Sequence, residues 1–141
     1  MRKFVLDTNI ILAYIRQSTT FQNAENLLRL TADDAQLIVS VVTVGEIRVL
    51  AHRNGWGEKK IAQLNRFFEE TLLVVDVNIG APELINAYVE IDGFSNGRSM
   101  GKNDLWIAAT AVVTDATLVT TDGDFDHLKG SPIQLAKITS A

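Results

Sequence analysis

Asp7, Glu46, Asp104 and Asp122 are the residues whose type and placement best suit chemistry in this chain. They come from four distant stretches, and no lysine or arginine stands beside Asp7, Glu46 or Asp122. Carboxylates gathered at one buried rim repel one another and resist desolvation. A hard divalent cation is the economical counter-charge, because magnesium takes oxygen ligands and usually keeps several waters. Such a centre can polarise a phosphodiester and generate a hydroxide nucleophile. The chain has no cysteine, which excludes disulfides, thiol nucleophiles, zinc–cysteine sites and iron–sulfur clusters. His52 and His127 read as surface histidines, and the chemistry needs neither.

The elements that must position these acids alternate. Strands are predicted over residues 3–6, 36–41, 72–77 and 117–121, with a last edge strand over 133–138. Helices are predicted over 9–16, 21–30, 43–53, 58–70, about 82–91 and 103–114, from apolar residues at helical spacing. Residues 92–102 read as the longest polar loop. Alternating strands and helices predict an α/β domain with a mostly parallel sheet, spanning residues 1–141 as one unit.

In such sheets ligands bind beyond the carboxyl ends of the strands. Asp7 closes the first strand, and Glu46 lies near the first turn of the helix after the second. A helix of ~12 residues runs ~18 Å out, and a strand of ~5 residues comes ~17 Å back. Asp122 therefore returns to the level of Asp104. Each acid also has a plainer explanation. Asp7 suits a helix cap, and Thr43-x-x-Glu46 fits a capping box. Asp104 suits the positive end of a helix, and Asp122-Gly123-Asp124 suits a solvated turn. Against this, Glu46 shares a helical face with Val49 and Leu50, and Asp104 with Ile107, Ala108 and Ala111. Singly these signals are weak; four carboxylates converging on one rim are not.

A formal charge of −4 argues against a broad basic face for nucleic acid, though cations can bridge an acidic cleft to phosphate. The opening Met1-Arg2-Lys3-Phe4-Val5-Leu6 imitates a signal peptide until Asp7, Thr8 and Asn9 break it. The longest apolar run is too short to span a bilayer, so a cytoplasmic chain without membrane contact is expected. Trp56, between Gly55 and Gly57, suits a packed loop anchor better than a base-stacking platform. Trp106 suits the core or a dimer interface.

Four stretches, taken in order, resemble the PIN-domain nucleases, specifically the VapC-type toxins of toxin–antitoxin pairs. They are Val5-Leu6-Asp7-Thr8-Asn9, then Thr43-x-x-Glu46, then Gly101-x-x-Asp104-Leu-x-Ile-Ala-Ala-Thr110, then Leu118-Val-Thr-Thr-Asp122-Gly-Asp124-Phe125. None is specific alone; the ordered set, over nearly the whole chain, is. The resemblance implies a three-layer α/β/α domain around a five-stranded, mostly parallel sheet. It implies an endoribonuclease dependent on magnesium or manganese, with Asp7, Glu46, Asp104 and Asp122 as the catalytic, metal-holding quartet. Thr8, Asn9 and Thr120 match positions that orient a carboxylate or a water, and Asp124 is a candidate fifth acid. Arg98 and Lys102 are candidates to contact RNA phosphates, with a merely solvated loop as the other reading. A homodimer and a small VapB-like antitoxin are the implied partners. The antitoxin would bind operator DNA through its own domain, leaving this chain no direct DNA role.

Two alternatives stand beside this reading. One is a free-standing PIN nuclease without an antitoxin. The other is a non-catalytic module that binds a cation or a partner, which should have lost an acid of the quartet; none is missing. A receiver domain would need an acidic pair after one strand and a late lysine in an order absent here. A phosphatase would more naturally carry D-x-D where Asp7-Thr8-Asn9 stands.

Overall fold

Odd and even residues of the central strands face opposite ways, and both sets are apolar. A strand buried on both faces needs helices above and below it. The computed structural model describes residues 1–76, 82–95, 100–130 and 132–140, and has that architecture. In chain order it contains β1 (Arg2–Leu6), α1 (Thr8–Arg16), α2 (Thr19–Leu28), β2 (Ala35–Ser40), α3 (Val41–Arg53), α4 (Glu58–Glu70) and β3 (Leu72–Val75). Then follow α5 (Pro82–Phe94), α6 (Lys102–Thr114), β4 (Thr117–Thr120), a 3₁₀ helix (Gly123–Leu128) and β5 (Gln134–Lys137).

The five strands lie in the order β3-β2-β1-β4-β5, and every neighbouring pair is parallel. Phe4, Leu6, Leu37 and Val39 face a core built with α1, α3 and α4, including Ile11, Ile47, Leu64 and Phe68. Val5, Ile38 and Leu118 face the opposite core, with Ile91 of α5, Leu105 and Ala108 of α6, and Phe125 and Leu128. The predicted three-layer α/β/α sheet domain is therefore present. The chain builds outward from β1 to β3, then crosses to β4. The strand order thus reverses between β1 and β4, and a crevice opens there at the carboxyl ends.

Several boundaries differ from the sequence reading. The helix α3 begins at Val41, because the Ser40 side chain accepts from the Val42 N–H (3.2 Å) and caps it. The capping box that the Thr43-x-x-Glu46 spacing allows does not form; Thr43 is buried within the helix, and Glu46 stands in its second turn. Asp7 is the N-cap of α1 just past β1, where its N–H still donates to Val119 (3.0 Å). The helix α5 runs through Gly93 to Phe94, which shortens the expected loop over 92–102. Asp122–Asp124, for which a solvated turn is the plainer reading, opens the 3₁₀ helix, whose Phe125 and Leu128 are fully buried. Among the described residues, no helix is long and apolar enough to cross a membrane.

Candidate metal centre

The crevice between β1 and β4 collects the predicted acids. Asp7 is 7% exposed and is held by two donors. The Thr8 N–H donates to its Oδ1 (2.8 Å), and the Thr120 hydroxyl donates to its Oδ2 (2.7 Å). Thr120 in turn accepts from the Asp122 N–H (3.0 Å), so one fully buried hydroxyl ties the β1 acid to the β4 acid. Asp122 then caps the 3₁₀ helix by accepting from the Asp124 N–H (2.9 Å). Carboxylate oxygens of Asp104, Asp122 and Asp124 all lie within 4.8 Å of one another. Asp124, the candidate fifth acid, thus belongs to the same cluster as Asp122.

Asp7 and Glu46 lie beside this triad rather than in it, and electrostatics connects all five. The Asp104 carboxyl is pushed up to about 6, first by burial and then by the charges of Asp7, Asp122, Asp124 and Glu46. Glu46 is also raised, by burial and then by Asp7, against a lowering hydrogen bond from Asn103. Burial raises Asp7 as well; the bonds from Thr120 and Thr8 oppose this, and the Asp122 charge adds to it. The ion pairs among the described residues, Arg2–Asp34 (2.8 Å) and Lys137–Asp126 (3.1 Å), lie outside the five acids. Glu46 Oε1 and the hydroxyls of Thr8 and Thr43 are buried without a hydrogen-bond partner. An all-oxygen donor set, mutual repulsion and an unsatisfied carboxylate oxygen fit a hard divalent cation.

The supporting residues divide. The Thr120 hydroxyl and the Thr8 N–H both donate to the Asp7 carboxylate. Asn9 instead donates to the Thr121 hydroxyl (3.3 Å). Lys102 is the exposed first residue of α6, and Arg98 lies outside the described residues. His127 is not a simple surface residue: it is half-buried, and its Nε2 lies 2.8 Å from the Ser95 hydroxyl. Trp56 packs against the core with Lys60 Nζ 4.1 Å from its ring centre, the arrangement of a loop anchor. Trp106 is half-buried against Tyr88, with ring centres 4.2 Å apart. Sequence reasoning missed Asn103 as the partner of Glu46. Its position beside Asp104 at a helix start was the available signal, and it drew attention only to the helix end.

A family model described as PIN domain matches residues 4–131. Ribonuclease VapC1 of Haemophilus influenzae (strain R2866) is 31% identical over 122 residues, covering 83% of this chain and 84% of that protein. The chain belongs to the PIN-domain family, in its VapC branch. Solved structures agree with this PIN domain in fold. VapBC-1 from nontypeable Haemophilus influenzae matches at a TM-score of 0.71 and 26% identity, covering 96% of this chain and 97% of that one. VapBC2 from Rickettsia felis, bound to a DNA fragment from their promoter, matches at 0.78 and 24% identity, covering 96% and 98%. The acidic crevice of this PIN domain falls within the matched residues.

Proposed function

We propose that this chain is a toxin-type endoribonuclease that hydrolyses RNA phosphodiesters with Mg2+ or Mn2+ and is neutralised by a small VapB-like antitoxin. The observation that carries the reading is the five-carboxylate crevice, which no lysine or arginine pairs among the described residues, in a chain of the VapC branch. The relatives' designation as ribonucleases supports RNA as substrate, and the VapBC complexes support the partner. Asp104, Asp122 and Asp124 would hold the cation, with Asp7 and Glu46 beside them. Bound there, the cation would supply Lewis-acid polarisation of the phosphodiester and an ionised water near neutral pH. The chain's own residues fix the geometry. Thr120 sets Asp7 against Asp122, Thr8 and Asn9 brace the start of α1, and Asn103 steadies Glu46. Lys102, with Arg98, would neutralise RNA phosphates outside the acidic centre. A homodimer belongs to the same reading, supported by exposed Ile85 and Val89, one turn apart on α5.

The DNA-bound VapBC2 complex cuts against the expectation that this chain has no direct DNA role. A toxin held in a promoter-bound complex is part of the particle that meets DNA, so that expectation is dropped.

Purified protein should cut RNA in Mg2+, lose the activity in excess chelator and regain it when Mg2+ is restored. Undiminished cutting in chelator would refute the metal assignment. Expression of the chain alone should arrest growth, and co-expression of the small gene beside it should restore growth. A lone arginine from such a partner could neutralise the acidic crevice through charge-assisted hydrogen bonds. A harmless chain that still cuts RNA and copurifies with no small protein would leave a free-standing nuclease in its place.

A further inference from the structure

Gly45 lies inside α3, yet nothing presses on it. A Cβ built there meets no atom within 4 Å, so close packing does not call for a glycine. Glycine in a helix interior is destabilising relative to nearly every other residue. Here it floors an open groove of about 500 Å³ along one face of α3. Val42, Val49 and Leu50 give the groove apolar walls, and Val49 is 47% exposed. Glu46 and Asn103 close its end beside Asp104, and exposed Arg53 stands at the other end of the face. The groove therefore adjoins the acidic crevice, because Glu46 lines the one and its charge acts on Asp104 in the other.

We infer that this groove receives the base of a nucleotide next to the scissile phosphate, and that Asn103 reads its edge; the inference rests on the RNA-cleaving reading above. Ligand pockets of this size combine apolar walls with a few placed polar groups, which suits the flat apolar faces and polar rim of a base. RNA is read in single-stranded segments whose unstacked bases offer both faces and edges. Asn103 stands beside Glu46 in the groove lining, and its amide holds the Glu46 carboxyl down against the effect of burial. The asparagine amide carries a donor and an acceptor side by side, the pattern with which it pairs to a base edge. Filling the floor should therefore change which sequences are cut while leaving the cation site intact.

The test is Gly45→Leu, with Val49→Phe as a second variant that narrows the groove from an exposed position. Wild type and variants cut a pool of random single-stranded RNA in Mg2+ without antitoxin, and the cut ends are sequenced. Mn2+ binding is measured by calorimetry on the same preparations. The expected result is a base preference beside the cut in the wild type. In both variants that preference should flatten, with at least tenfold slower cutting at the preferred sites and Mn2+ affinity within twofold. An unchanged pattern, or a uniform slowing with the preference kept, overturns the inference. If the wild type cuts nothing, the nuclease reading itself falls, and the base site with it.

Discussion

Asp104→Asn is expected to lower RNA cleavage by at least about a hundredfold, since even residues supporting a metal ligand are worth ten- to a hundredfold. The same substitution should make the metal-free protein more stable at neutral pH. Asp104 faces four other acids, and its pKa stands at about 6 against 3.8 for an ordinary aspartate. The folded state therefore holds the Asp104 proton more tightly than the unfolded chain does. That contribution is fully present below about 3.8 and is lost as pH rises through about 6. At neutral pH the ionised group costs stability, and solvent screening at this half-buried carboxyl limits the cost to on the order of 1 kcal/mol. Asparagine removes it. Melting curves in chelator between pH 4 and 8 should show the wild type losing stability across that window relative to the variant. Equal pH slopes for the two proteins would contradict the electrostatic account of the crevice.

Thr120→Val is expected to damage the fold and the site together. The threonine hydroxyl is buried, donates to Asp7 and accepts from the Asp122 N–H. Valine keeps the shape and removes both bonds, leaving Asp7 and a backbone N–H short of a partner. Losing a charged hydrogen bond and stranding a half-buried donor costs about 3 kcal/mol. For a domain of this size that lowers Tm by about 10 °C. Mn2+ affinity should fall about ten- to a hundredfold, because Asp7 and Asp122 lose their common tether. Thr120→Ser, which restores the hydroxyl, should recover most of both losses. A Thr120→Val protein with wild-type Tm and Mn2+ affinity would show that the tether is incidental.

The alternation of strands and helices was legible because buried strands and amphipathic helices leave different periodicities. Asp7, Asp104 and Asp122 were legible for a related reason: each sits at an element boundary that topology sends to one edge. Local rules misled where two signals competed. Thr43 and Glu46 have capping-box spacing, but Ser40 ends the strand earlier and takes the cap. Asp122-Gly123-Asp124 reads as a turn, yet Phe125 and Leu128, three apart, bury a 3₁₀ helix against the core. Residues 92–102 read as a polar loop, but buried Ile91 sits in a helix that continues to Phe94. Other features leave no local pattern. Asn9 meets Thr121 across 112 residues, and Ser95 meets His127 across 32. The orientation of Glu46 by Asn103 likewise depends on how α3 and α6 pack, which no single stretch encodes.

Cation occupancy and RNA cleavage measured on the same protein, across a titration of free Mn2+, test the central claim most directly. The five-acid crevice predicts that cleavage rises in proportion to occupancy. In Asp104→Asn both curves should move together to higher Mn2+ or vanish. Cleavage that persists at zero occupancy, or a crevice that fills with Mn2+ while RNA stays intact, would contradict the account.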